Sequence, residues 1–315
     1  MIRRLVAFCM AGAAILAFTG ITSPSAMATE LPEFLVSTGF TGTSGASTFE
    51  TRGGTSIACT KSTIEGTATT SKSGSFHLLE RECVSTSLKC TTSGETAGTI
   101  SISGEWHLVP GEGTTFLLAP EEFQFKCGGI ISVKIKGSIP SLISPIESKA
   151  KEFELETQES EGSQEVTEYE NDGEEAIQTG LLVSFNGGAF EEAAEKVSEA
   201  KISTSNETQI VGPSFSVTNP LGRRKIKVGK AVDLVVKNRT LLLRSLNSLT
   251  FGQSSKEEPF SVNSTNLTKC KGLSYEKLLA CSVEVKYNAK VANSTATLSL
   301  RDSNNRLARA TVVGE

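Results

Sequence analysis

Short runs of alternating apolar and polar residues recur along the chain, with turn residues between them. Thr99-Ile100-Ser101-Ile102-Ser103, Ile131-Ser132-Val133-Lys134-Ile135-Lys136 and Thr297-Leu298-Ser299-Leu300 each repeat with a period of two. That period sends successive side chains to opposite faces of a strand. Phe153, Leu155 and Thr157 oppose Glu152, Glu154 and Glu156, and Val283 and Val285 oppose Glu284 and Lys286, the pattern of strands with one wet face. Turn signals fall at Ser73-Gly74, Pro110-Gly111, Asn171-Asp172-Gly173, Asn186-Gly187 and Asn219-Pro220. Helix signals are sparse: only Gly188 to Lys201 is rich in Ala, Glu and Lys, and it is expected to form a short helix. The pattern predicts an all-β chain.

The amino-terminal residues depart from this pattern. Arg3 and Arg4 precede an apolar run from Leu5 to Phe18, and Ser23-Pro24-Ser25-Ala26-Met27-Ala28 follows. This predicts a signal peptide over residues 1–28, cleaved after Ala28. The run is shorter than the roughly 20 residues a membrane helix needs, and no later run is longer. The mature chain is therefore expected to be secreted and, at its length, to form two domains.

Cysteine usage fits an oxidising compartment. Beyond Cys9 there are six: Cys59, Cys83, Cys90, Cys127, Cys270 and Cys281. An even number in an exported chain implies disulfides. No C-x-x-C pair occurs, and the two histidines, His77 and His107, lack ligand-like spacing, so no zinc site is expected. The first four cysteines allow three connectivities. Cys59 and Cys83 lie almost symmetrically about Ser71-Lys72-Ser73-Gly74, so one hairpin brings them together. Cys90 and Cys127 similarly flank strands that turn near Pro110-Gly111-Glu112-Gly113. The nested alternative, Cys59–Cys127 with Cys83–Cys90, stays open.

Charge divides the chain. Residues 147–212 hold 4 basic and 17 acidic residues, a net of −13, whereas residues 213–315 hold 17 basic and 7 acidic, a net of +10. The swing predicts a boundary near Gly212. A β-rich domain would then span 29–212, with an acidic segment at 147–175, and a second domain would span 213–315.

From about residue 222 to 314 the chain resembles the immunoglobulin-like domains of the abnormal-spindle/hydin type. Val228-Gly229 precedes Val232-Asp233-Leu234-Val235-Val236-Lys237-Asn238, and Pro259-Phe260-Ser261-Val262 follows. Cys281-Ser282-Val283-Glu284-Val285-Lys286-Tyr287 is similar to the family's second cysteine strand. Lys277-Leu278-Leu279-Ala280 stands where the family has Pro-Gly. The resemblance implies an immunoglobulin-like β-sandwich, a scaffold or binding role, and a Cys270–Cys281 bridge. These two are also the only cysteines of their domain. About seven short alternating strands in about 100 residues agree with a sandwich. The amino-terminal part is similar to uncharacterised bacterial secreted proteins, which imply no activity.

Candidate chemistry is thin. A serine triad needs a histidine base near an activated serine, and no G-x-S-x-G elbow occurs. His77 and His107 each stand in an apolar run and are expected on half-buried strand faces. Gly39, Gly42 and Gly45 lack the lysine and strand-turn-helix context of a phosphate loop. Glu170-Asn171-Asp172-Gly173-Glu174-Glu175 is oxygen-rich but lacks alternating calcium ligands. Glu105 beside Trp106 is the one local pair suggestive of sugar chemistry.

No catalytic residue, cofactor, metal or nucleic-acid partner is therefore expected. The expected function is a secreted, non-enzymatic binding or structural module of the cell envelope or extracellular space. The alternative is a carbohydrate-binding or carbohydrate-active protein working through its amino-terminal domain. The basic run Arg223, Arg224, Lys225, Lys227 and Lys230 is read as a strand, with Ile226 and Val228 on one face and Lys225 and Lys227 on the other. It has three possible roles: binding an anionic envelope polymer, complementing the acidic stretch from Glu147 to Glu175, or serving as a solvated face.

Overall fold

The computed structural model describes residues 32–36, 39–157, 159–169, 177–222, 224–242, 244–272, 274–275, 280–288, 291 and 294–315. Residues 1–28, expected to be a signal peptide, and Glu170 to Glu175 and Arg223 lie outside the described residues. The fold is all-β. Fourteen strands of the amino-terminal part join one antiparallel sheet. In chain order they are β1 (Phe40–Ser44), β2 (Ser47–Thr51), β3 (Ser56–Cys59), β4 (Lys61–Ala68), β5 (Ser73–Arg81), β6 (Val84–Ser85) and β7 (Leu88–Thr91). Next come β8 (Ile100–Val109), β9 (Thr115–Pro120), β10 (Phe123–Cys127), β11 (Ile131–Ser144), β12 (Ala150–Thr157), β13 (Gly180–Phe185) and β14 (Glu191–Thr208).

The pairings close on themselves twice. One ring runs β1-β4-β5-β8-β9-β11-β12-β14 and back to β1. The other runs β2-β3-β6-β7-β10-β11-β13-β14 and back to β2. Closure removes free strand edges. Two strands serve both rings because they are long, 14 residues for β11 and 18 for β14, against the usual five or six or so. Each carries a break where it changes partner. Gly137 in β11 has φ +113°, and a Cβ there would lie 2.3 Å from the Gly180 carbonyl oxygen. In β14 the register against β12 shifts between Leu155 and Thr157, next to Glu199 with φ +49°. This is bulge geometry, which bends a strand.

The helix expected over Gly188 to Lys201 is not formed; the segment is strand, most of it in β14. Helix propensity is worth only tenths of a kcal/mol per residue, whereas β14 is hydrogen-bonded to four strands along its length. Ala193 and Ala194 are both buried, though neighbours in a strand face opposite ways. Small side chains permit that.

Both rings feed one core. Its centre is aromatic: Trp106 stacks on Phe116 at 5.6 Å and meets Phe34 and Phe40 edge-on. The runs read as strands from alternation lie in β8, β11 and β12, with Phe153 fully buried. The β4–β5 hairpin turns just before the Ser73-Gly74 signal, because Ser73 already opens β5.

The carboxy-terminal part has its own core, beginning at Phe215 where the first ends at Ile210. Its strands are β15 (Phe215–Thr218), β16 (Ala231–Asn238), β17 (Arg244–Gln253), β18 (Phe260–Val262), β19 (Ala280–Tyr287), β20 (Thr295–Asp302) and β21 (Leu307–Val313). They form two sheets, ordered β15-β16-β19-β18 and β17-β20-β21, the latter extended by Ser274–Tyr275 beside β17. Val232, Leu234, Val236, Val283, Val285 and Tyr287 of the first face Leu246, Leu249, Leu298, Leu300, Ala310 and Val312 of the second. One helix, α1 (Ser264–Gly272), was not foreseen. Asn263 caps it, its side chain accepting from Asn266 N at 3.2 Å.

Candidate functional site

The described residues of the basic run, Arg224 to Lys230, are not a strand. Among them only Ile226 bridges, to Gly314, and a turn at Val228-Gly229 follows. Gly229 takes φ +80°, which ends the alternation read from the sequence. Ile226 is buried and Val228 is exposed, so they do not share a face. Arg224 leaves the run: its Nη1 donates to Glu161 Oε2 at 2.5 Å and its Nη2 to Ser160 Oγ at 2.8 Å. Lys225, Lys227 and Lys230 are exposed and have no ion pair among the described residues.

The other cations that matter sit on the body of the carboxy-terminal unit. Lys237, on β16, donates to Glu156 Oε2 of β12 at 2.9 Å. Arg239, one residue past β16, donates through Nη1 to the same oxygen and through Nε to Ser216 Oγ at 2.8 Å. The Arg239 side chain is only 3% exposed. Arg306 pairs with Glu147 and also donates to the Gly212 carbonyl, while Asn304 Nδ2 donates to Glu147 at 2.8 Å. Thr311 Oγ1 donates to Glu168 Oε1 at 3.2 Å. The acidic residues named here, Glu147, Glu156, Glu161 and Glu168, all belong to the segment at 147–175.

Backbone bonds fasten the same seam. Val217 N donates to Glu112 O at 2.7 Å, Arg309 N to Gly111 O at 3.1 Å and Ile146 N to Arg239 O at 2.8 Å. Burial alone would raise the Glu156 carboxyl, but Arg239 and Lys237 outweigh it and hold the group below the usual range. Burial draws Arg239 down, opposed by Glu156.

Glu112 lies fully buried in the same seam. Its Oε1 accepts from Thr167 N and Thr167 Oγ1, both at 3.0 Å, and its Oε2 has no partner among the described residues. Burial pushes it well above the usual range; Thr167 opposes the shift and Glu168 and Glu165 add to it. Burial, then Glu156, raises Glu165 to about 7. An open cleft of about 640 Å³ runs beside the seam, lined by Ser44, Glu154, Ser198, Glu199, Lys201 and Lys237 among others.

The cysteines pair as Cys59–Cys83, Cys90–Cys127 and Cys270–Cys281. The β4–β5 register couples Lys61 with Arg81, and two further steps bring Cys59 opposite Cys83. Cys90 and Cys127 are direct partners between β7 and β10. Beside the first bridge, Glu80 is buried and accepts from Ser47 Oγ at 2.5 Å. Glu195 is buried too. Burial lifts Glu80 to about 7, with Ser47 opposing, and lifts Glu195 well above the usual carboxylate range, helped by Glu80. A small cavity of about 40 Å³ lies between these acids and Ile57, Ile100 and Phe125.

Sequence reasoning missed both acids, yet phase points to them. Glu80 follows Phe76 and Leu78 at steps of two, and Glu195 follows Ala193. Glu112 is in a loop and gave no such signal.

The remaining candidates are scattered. His77, on β5, is exposed and hydrogen-bonds Ser101 at 3.0 Å, whereas His107, on β8, lies 3.4 Å from Glu105. Trp106 is fully buried with Nε1 donating to Thr67 O at 2.9 Å, so its ring offers no face to a sugar. Gly39 precedes β1, Gly42 lies within it, and Gly45 follows it against Ser198. No helix among the described residues is long and apolar enough to cross a membrane. No family model matches the chain, and no curated protein matches it.

Proposed function

We propose that the protein is a non-enzymatic binding or structural module of the cell envelope or extracellular space, in which two all-β units are clamped into one body. The observation that carries this reading is the seam. Carboxylates of the acidic segment meet Arg224, Lys237, Arg239 and Arg306 of the basic unit, so part of the charge asymmetry is satisfied internally. Three disulfides are compatible with an oxidising compartment. The carboxy-terminal unit is read as an immunoglobulin-like sandwich, because its two sheets follow the order expected of seven such strands.

Lys225, Lys227 and Lys230, left exposed, are the face offered to an anionic polymer. Titration of the mature chain with a sulfated polysaccharide tests this. The reading expects binding at about 0.05 M salt that weakens at about 0.5 M and disappears in the variant K225A/K227A/K230A. Absence of binding at low salt removes the polymer and leaves the structural role.

A further inference from the structure

The geometry points to a second state of the Cys59–Cys83 bridge: once reduced, Cys59, Cys83 and Glu80 form a buried site for a thiophilic divalent metal such as zinc. One ligand atom from each residue lies within 4.8 Å of the others, and all three residues are buried. Among the described residues this is the one such group; neither of the other bridges has a carboxylate so placed.

The donor set suits the metal. Zinc binds thiolate and carboxylate at about 2.3 and 2.0–2.2 Å, which puts neighbouring tetrahedral ligand atoms about 3.5–3.8 Å apart. A reduced pair of sulfurs is free to open to that spacing. Ser47 Oγ, donating to Glu80 Oε2 at 2.5 Å, holds the carboxyl in orientation, as outer partners of metal ligands do. The adjoining cavity of about 40 Å³, also lined by Cys59, Glu80 and Glu195, has room for a water as fourth ligand.

The chemistry balances. A dithiol reductant gives two electrons and two protons to the Cys59–Cys83 bond and leaves as its own disulfide. The metal then displaces the two thiol protons and any proton on the Glu80 carboxyl, all of which pass to solvent, forming two metal–sulfur bonds and one metal–oxygen bond. Disulfide and metal therefore compete for one pair of sulfurs, and each ties β3 to the end of β5.

The test is to refold the reduced mature chain without oxygen, with and without Co²⁺. Expected are native strand content, one Co²⁺ per chain, and sulfur-to-cobalt charge-transfer absorption. The oxidised chain should give no such absorption. Glu80→Gln should weaken Co²⁺ by about tenfold or more, and C59A/C83A should abolish it. The proposal is overturned if the refolded reduced chain shows no cobalt absorption, if the absorption survives C59A/C83A or is unchanged by E80Q, or if the metal fails to restore folding to a reduced chain that cannot refold without it.

Discussion

Replacing Arg239 by methionine removes a guanidinium whose side chain is 3% exposed while keeping much of its apolar stem. Two bonds go with it, a buried one to Ser216 Oγ and a half-buried one to Glu156. Glu156 then keeps only Lys237, whose side chain is 28% exposed. Breaking one partner of a buried ion pair costs about 3–5 kcal/mol, because the other charge stays desolvated. Glu156, with its side chain 36% exposed, stays partly solvated and keeps Lys237, so the expected cost lies below that range, about 2 kcal/mol. At roughly 2–4 °C per kcal/mol for a chain of this size class, the melting temperature should fall by about 4–8 °C. Glu156→Gln should cost a comparable amount, and the double variant less than the sum, with a coupling of about 1 kcal/mol. Urea unfolding at pH 7 measures all three. The pH profile provides a second check. Glu156 is held low, so its contribution is full above the unfolded value of 4.5 and fades as pH falls through the folded one. The gap between wild type and R239M should therefore close in acid. A cost under about 1 kcal/mol, or strict additivity, would refute the claim that this pair joins the units.

Glu80 and Glu165, both raised to about 7, make the native state hold protons that the unfolded chain loses. Stability should fall as pH rises from about 4.5 to about 7, by up to about 1.4 kcal/mol per pH unit for fully buried Glu80 and less for half-buried Glu165. Thermal melts across that range in wild type and Glu80→Gln check this; E80Q should have the flatter profile, and a stability rising toward neutrality contradicts the reasoning. Peptide mapping under non-reducing conditions should recover Cys59–Cys83, Cys90–Cys127 and Cys270–Cys281, and C90A/C127A should lower stability by about 2–4 kcal/mol. A recovered Cys59–Cys127 peptide would refute the β4–β5 register.

Strands that bury one face were legible: Phe153 against Glu152 and Glu154, or Val283 and Val285 against Glu284. Burial on both faces hid the rest. The run from Ile131 was read only to Lys136, yet β11 continues to Ser144, with Ile139 to Ser144 all buried and no alternation to see. Gly188 to Lys201 misled because alanine suits a helix and also a strand enclosed on both sides. The charge swing near Gly212 was visible, but not which cations would be used. The dense run at Arg223 to Lys230 contributes Arg224 among its described residues, while Lys237, Arg239 and Arg306, spaced singly among apolar residues, make the other contacts. A local cluster attracts attention; a seam is assembled from distant positions that only the fold brings together.

Native-state hydrogen exchange at the amides of Ile146, Val217 and Arg309 tests the clamp most directly, since each donates to a carbonyl of the other unit. If the units form one body, these amides should be protected as strongly as core amides of β16 and β19, at about 0.05 and about 0.5 M salt alike. Rapid exchange there while both cores stay protected would show the units moving apart, and would contradict the account.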